Sequence, residues 1–269
     1  MDVVSRRYED LSGPEIAERV RPSSIVLLPI GAVEQHGPHL PLSVDHVIAH
    51  EAASAVVDRV GDEFDIWLLP TLSVSKSNEH AWSPGTLWLS AETMMSVLRD
   101  IGRSLATTGV ERVVLLNAHG GNTTLLTTAL RELRLQFGFK TFCVHPSLPP
   151  AYGGTSTEDE LGMGIHGGLN ETSVFMHLRP GQVRMEHARR WVAEEDRHSQ
   201  AIRDWLLVSR ALDPVALERA RLAQLSAGIV PDPPNAIEGL VYVALQELAT
   251  RLSHRNTGQL IEDPWGREI

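Results

Sequence analysis

Three short polar clusters carry the residue types that could do chemistry in this chain. The first is Gly31-Ala32-Val33-Glu34-Gln35-His36-Gly37-Pro38-His39, followed closely by Asp45-His46. The second is Asn117-Ala118-His119-Gly120-Gly121-Asn122, and the third is His166-Gly167-Gly168-Leu169-Asn170-Glu171-Thr172. The chain has 12 histidines and one cysteine, Cys143. Cysteine-based zinc sites and an internal disulfide are therefore excluded, and imidazole plus carboxylate is the ligand set left for a metal. In an extended segment residues two apart share a face, so Glu34 and His36 enter one site together. Asp45, at the start of the following helix, can fold back across the loop. A carboxylate can bridge two ions, and two ions about 3.5–4 Å apart are a common hydrolytic arrangement. Glycines beside His119 and His166 would let backbone approach a ligand with no Cβ in the way.

Each cluster also has a plain structural reading. A lone Glu-x-His is frequent by chance and usually sits in an exposed loop. His46 and His50, four apart on a helix, suit a solvated face better than a metal. His39 can brace its loop among the prolines, His119 can belong to a turn, and His166 can sit in a plain glycine turn. Joint placement after three strands weighs against these readings, because solvated-face residues have no reason to collect there. Other chemistry lacks support. No G-x-G-x-x-G follows a strand, and neither a P-loop nor H-E-x-x-H is present. Ser73-Val74-Ser75-Lys76 fits S-x-x-K, but the rest of that set is missing. Cys143 lies inside an apolar strand and reads as a buried structural thiol.

The elements that must position these clusters alternate. Ser12 and Pro14 read as the cap and early proline of a short helix to about Val20. Residues 24–28 form a continuous apolar run of the kind found in strands buried on both faces. A loop over 29–44 and a helix over 45–60 follow. Residues 66–69 predict a strand, 70–89 a loop, and Ser90 caps a helix to about Thr108. The strand at 112–116 is the cleanest in the chain; residues 123–137 are a helix and 141–144 a further strand. Strand alternating with helix predicts a parallel sheet covered on both faces, with ligands at the carboxyl ends of the strands. After Pro146 come a loop over 147–165, a helix carrying Glu171 to Leu178, a charged and helical-looking stretch over 187–225, and a last helix from Ala236 to about His254. No composition shift divides the chain, so residues 1–269 are expected to be a single domain.

Composition bounds the function. The 269 residues carry a formal charge of −10, which disfavours a phosphate-backbone binder. No apolar run approaches about 18 residues, so no membrane span is expected. The start, MDVVSRRYEDLSG, lacks the apolar core of a signal peptide. The expectation is a cytoplasmic protein that acts on a small molecule, without nucleic-acid or membrane partners.

Taken together, the motifs resemble those of the creatininase family. Residues Ile30 to Leu42 with Asp45 match its opening block. Glu79-His80 with Ser83-Pro84-Gly85-Thr86-Leu87, then the block at 117–122, then His166-Gly167-Gly168 with Glu171-Thr172-Ser173 follow in the family's order. Residues 228–239 (GIVPDPPNAIEG) are similar to its C-terminal block, with Pro231 where glycine is usual. The resemblance covers roughly residues 20 to 250. It implies a three-layer α/β/α sandwich with a mainly parallel central sheet, two divalent ions per subunit (zinc first, manganese or iron as alternatives) and a homo-oligomer, often a hexamer. By motif match Glu34 and His119 hold one ion, His36 holds the other, and Asp45 bridges them. His166 matches the catalytic histidine, and Glu171 the glutamate of the Glu-Thr-Ser block. Creatininase itself has a tyrosine and a metal-ligating glutamate directly after the histidine matching His119, where this chain has Gly120 and Gly121. Glu171 is the candidate to replace that ligand, and a catalytic role beside His166 is its alternative. Creatininase also has a tryptophan where this chain has Gly162, so the aromatic cover of creatinine is not matched. His80, Gly120 and Gly121 are the candidate substrate contacts, with Trp82 beside His80 in the same loop.

The resemblance implies a metal-dependent amidohydrolase acting on a non-peptide C–N bond of a cyclic or small amide other than creatinine. Water activated by the two ions attacks the carbonyl, and His166 protonates the leaving nitrogen. The alternatives on the same ions are a lactonase, a formamide hydrolase or a peptidase of a modified peptide. An alternative of another class is a non-catalytic metal- or ligand-binding protein.

Overall fold

The apolar runs become the strands of one parallel sheet. A computed structural model describes residues 5–146 and 166–189. Within them β1 is Ile25–Ile30, β2 Ile66–Leu68, β3 Arg112–Asn117 and β4 Lys140–Val144; the helices are α1 Gly13–Arg19, α2 Val44–Phe64, α3 Ala91–Ala106, α4 Thr123–Phe137 and α5 Leu169–Leu178. The strand order is β2-β1-β3-β4, and every pairing is parallel.

Alternate residues of each strand serve opposite layers. Val26, Leu28, Ile30, Val113 and Leu115 pack with Met94, Leu98, Leu126 and Leu133 of α3 and α4. Ile25, Leu27, Val114 and Leu116 pack with Ala49, Ala52, Ala53 and Val56 of α2. The alanines of α2 let it lie close to the sheet. α5 packs its Val174 and Phe175 on Val44 and Ile48 of α2. This is the expected three-layer α/β/α arrangement. No helix among the described residues is long and apolar enough to cross a membrane.

The chain leaves β1 for β2 on one side and returns to β3 on the other. The connections after β1 and β3 therefore diverge where Ile30 pairs with Asn117. Such a switch point at the carboxyl ends is the binding crevice of open parallel sheets.

Local signals act as anticipated at several ends. The Glu15 carboxylate accepts from the N–H and hydroxyl of Ser12 at the start of α1, and Ser90 Oγ accepts from Thr93 N–H at 3.2 Å. Some boundaries differ. β1 runs on through Pro29, because that carbonyl still accepts from Leu72 N–H at 2.9 Å. α2 passes through Gly61, where an added Cβ would meet Val57 Cγ1 at 3.1 Å, and stops at Asp65 in the left-handed region. Cys143 is only half-buried, on β4, which is an edge strand of the sheet among the described residues. Of the stretch expected to be helical from residue 187, His187 ends a short 3-10 turn and Ala188 is extended. The rest of that stretch, the last helix, the loop over 147–165 and the block at 228–239 lie outside the described residues.

One glycine sets the distance between the first strand and its helix. A Cβ on Gly31 would lie 2.4 Å from His46 N and Cα and 2.6 Å from Asp45 C, all backbone atoms of the first turn of α2. A Cβ on Gly120 would meet nothing within 4 Å. Gly31→Ala is therefore expected to cost about 1–3 kcal/mol of stability, the usual range for overpacking. Gly120→Ala should stay within about 0.5 kcal/mol. Urea unfolding of the two variants checks this, and equal midpoints would contradict it.

Candidate metal centre

The loop after β1, the first turn of α2, the turn after β3 and the start of α5 deliver their polar side chains to one point. Glu34 and His36 are fully buried, Asp45 is 1% exposed and His119 4%. His119 Nδ1 lies 3.1 Å from Glu34 Oε1 and 3.0 Å from Asp45 Oδ2. The other Asp45 oxygen, Oδ1, is 3.0 Å from His36 Nε2, and Glu171 Oε1 is 3.7 Å from the same nitrogen. Two triads result, Glu34–Asp45–His119 and His36–Asp45–Glu171, in each of which one donor atom per residue lies within 4.8 Å of the others. Asp45 belongs to both, with one oxygen turned to each.

The far nitrogen of each ring is tied to backbone. His36 Nδ1 donates to the Glu34 carbonyl at 3.1 Å. His119 Nε2 donates to the Lys76 carbonyl at 3.1 Å. A ring that donates its proton outward presents a lone pair inward, the arrangement usual for a metal-binding histidine.

Charge balance bears on what the point can hold. Glu34 Oε2 accepts from Ser77 Oγ. Glu34 Oε1 and Asp45 Oδ2 are buried and make no hydrogen bond. Four imidazole nitrogens surround Glu34 Oε1: His119 Nδ1 at 3.1 Å, His166 Nδ1 at 3.6 Å, His80 Nε2 at 3.8 Å and His36 Nε2 at 4.0 Å. Buried carboxylate oxygens left unpaired beside one another are costly unless a cation meets them. Oxygen and imidazole donors together suit zinc, manganese or iron, so the residues fit divalent ions.

Without such ions, protons take their place. Burial alone would lower His119, but Asp45, Glu34 and Glu79 push it up to about 12. Burial acts against protonated His36 too, and the Asp45 and Glu171 carboxylates still raise it well above the usual range. Burial would raise Asp45, yet the His119 and His36 rings hold it below the usual carboxylate range.

The remaining candidates ring this core. His166 donates through Nε2 to the Gln35 carbonyl and turns Nδ1 toward Glu34. It also forms a third possible triad with Glu34 and His36. His80 stacks on His166 with centroids 4.1 Å apart and lies in hydrogen-bond reach of the Gln35 side-chain amide. Glu171 accepts from Gly167 N–H. His39 stays outside the core and ties its loop to α5 through Thr172 Oγ1 at 2.9 Å. His46 and His50 join none of the triads among the described residues.

Gly121 differs from expectation. A Cβ there would lie 1.6 Å from Glu79 Oε1 and 2.5 Å from His119 Nε2. The space it leaves is filled by a side chain of this chain, not open to a substrate. Gly120 faces open space.

Ser75, Lys76, Ser77 and Glu79 take part in the site although their residue types and spacing gave them no role in it. Ser75 Oγ donates to the Gly31 carbonyl at 2.6 Å and accepts from Asn122 Nδ2. Lys76 and Ser77 hold His119 and Glu34, and Glu79 Oε1 is 3.2 Å from His119 Nε2. Burial would raise Glu79, but His119 and Lys76 bring it down to about 2. The available signal was a run of small hydroxyls and a Glu-His pair in the loop after β2, at the same end of the sheet as the other clusters.

A sequence profile of the creatininase family, described as creatinine amidohydrolase, matches residues 9–251. The mycofactocin precursor peptide peptidase of Mycobacterium tuberculosis is 33% identical over 224 residues, 80% of this chain and 77% of that protein. The creatinine amidohydrolase of Pseudomonas putida is 34% identical over 195 residues, 66% of this chain and 73% of that one. A shorter match, 46% identical over 83 residues, covers 28% of this chain and 25% of an M. tuberculosis protein named "Putative acyl-[acyl-carrier-protein] desaturase DesA1". The solved structure "Creatininase Mn" superimposes with a TM-score of 0.59 over 94% of this chain and 99% of its own, at 23% identity.

Because His36 and His119 hold protons that a metal must displace, zinc uptake should release protons, and apparent affinity should fall as pH is lowered. Titration calorimetry at neutral pH in buffers of different ionisation enthalpy measures this. Uptake with no buffer dependence would contradict the assignment of these rings as ligands.

Proposed function

The chain belongs to the creatininase family of hydrolases, and from that premise we propose that it hydrolyses an amide C–N bond with two divalent ions held by Glu34, His36, Asp45, His119 and Glu171. The observation that carries this reading is the pair of buried oxygens, Glu34 Oε1 and Asp45 Oδ2, that lack hydrogen bonds and converge on His119 Nδ1. Asp45 Oδ1 turns to the second triad, which supports a bridging role. When bound, ions there supply Lewis acidity: they ease deprotonation of water and polarise the amide carbonyl.

The protein's own groups do the rest. Glu34, His36, Asp45 and His119 are buried, whereas the side chains of His80, His166 and Glu171 are 18%, 21% and 27% exposed. Substrate therefore approaches over the His80–His166 stack. Water adds its oxygen to the carbonyl carbon, the C–N bond breaks, and the leaving nitrogen takes a proton. His166 Nε2–H is engaged by the Gln35 carbonyl, so a proton given to that nitrogen moves from Nδ1. The buried Glu34–Ser77 hydrogen bond keeps the acceptor side of the site rigid.

The first reading places the bond in a cyclic or small amide, with creatinine disfavoured because glycines follow His119. A second reading places it in a modified peptide. It draws on the 33%-identical relative named as a peptide peptidase and on Trp82, Leu87 and Trp88, exposed at 65%, 53% and 47% on the segment that carries His80. Exposed apolar side chains on the segment that carries His80 suit a substrate larger than a single ring.

A panel of cyclic amides, formamides, lactones and peptides assayed with the metal-loaded protein separates the readings; turnover of lactones alone would contradict both. His166→Ala should lower turnover about 10²–10⁴-fold, the usual weight of a general acid, with ion content unchanged. Loss of an ion in that variant would make His166 a ligand.

A further inference from the structure

His119 is held on its outer side by two acceptors. Its Nε2 lies 3.1 Å from the Lys76 carbonyl and 3.2 Å from Glu79 Oε1. The second Glu79 oxygen is fixed by Lys76 Nζ at 2.7 Å. One residue thus contributes its carbonyl to the ring and its ammonium to the carboxylate beside the ring. The geometry leaves Nε2 one role, donor, and Nδ1 the other, a lone pair facing Glu34 and Asp45.

The carboxylate reaches the ring only because position 121 has no side chain. An added Cβ there would sit 1.6 Å from Glu79 Oε1. Any larger residue at 121, a glutamate included, would compete for the same space. Gly121 and Glu79 therefore form one device: the glycine opens the slot that the carboxylate enters from the loop after β2.

Resting on the metal-dependent reading above, we propose that Glu79 is the positioning carboxylate of His119, which accepts the Nε2 proton through the slot left by Gly121 and so presents Nδ1 to a divalent ion. A carboxylate behind a metal-bound imidazole fixes the ring's orientation and raises its basicity, and removing such a partner typically costs 10–100-fold in affinity. Glu79 is a member of neither triad and reaches the first only through the outer nitrogen of His119.

The test is zinc affinity of the full chain, read by competition with a chromophoric chelator, for wild type, Glu79→Ala, Glu79→Gln and Gly121→Ala. Glu79→Ala should bind zinc about 10–100-fold more weakly at unchanged stoichiometry. Glu79→Gln keeps a carbonyl oxygen that accepts from Nε2 and should recover most of the loss, a rescue that a merely structural role would not show. Gly121→Ala should weaken zinc at least as much as Glu79→Ala, because its Cβ would crowd both Glu79 Oε1 and His119 Nε2. Wild-type affinity in Glu79→Ala would overturn the proposal and leave the hydrolase reading standing. A drop in the number of ions bound, not rescued by Glu79→Gln, would overturn it by making Glu79 a ligand. No zinc uptake by the wild type would overturn both.

Discussion

Two carboxylate oxygens, Glu34 Oε1 and Asp45 Oδ2, are buried on either side of one imidazole nitrogen with no hydrogen bond to either. Removing carboxylates from water costs several kcal/mol per ion, and these two also repel each other. A core of this kind persists only if positive charge sits among them, as protons on His36 and His119 or as metal. The surrounding structure serves that balance. Ser77 occupies the one Glu34 oxygen that the triad does not use, and backbone carbonyls turn both rings so that their free nitrogens face inward.

The sheet brings these groups together by its connectivity. With strand order β2-β1-β3-β4, the exits of β1 and β3 part at the Ile30–Asn117 pair, and the crevice between them faces the first turn of α2. Asp45 reaches the crevice because Gly31 lets that turn rest on the end of β1. α5, packed on α2 through Val174 and Phe175, adds Glu171 from the other side. The apolar layers thus determine how far apart the charged groups sit, and the helix that buries its alanines on the sheet is the one that carries the shared carboxylate.

Much of this was legible in the chain itself. Buried strands announce themselves as short apolar runs, and the polar clusters that follow them fall at the end of the sheet where parallel folds bind ligands. Glu34, His36, Asp45, His119, His166 and Glu171 were identifiable because their side-chain types have a metal chemistry in common, and the structure brings all six within one cluster. The partners behind them were not. Ser77 and Glu79 lie in the loop after the three-residue β2, and hydroxyls in a loop look alike whether they face water or a buried carboxylate. Gly121 signalled a close approach but not its direction: a glycine beside a histidine is equally compatible with a substrate in front of the ring or a carboxylate behind it. Pro29 marked a strand's end by composition, while the carbonyl it keeps was enough to continue the ladder.

Whether the two triads hold ions is tested most directly by the metal content of the purified, untagged protein. Elemental analysis should find about two transition-metal ions per chain, as a dinuclear hydrolytic site requires, and Asp45→Asn should lose both together because it is the shared ligand. A wild-type chain that stays free of metal after incubation with zinc and with manganese would contradict a dinuclear site, and would leave a protein whose buried carboxylates are balanced by protons alone.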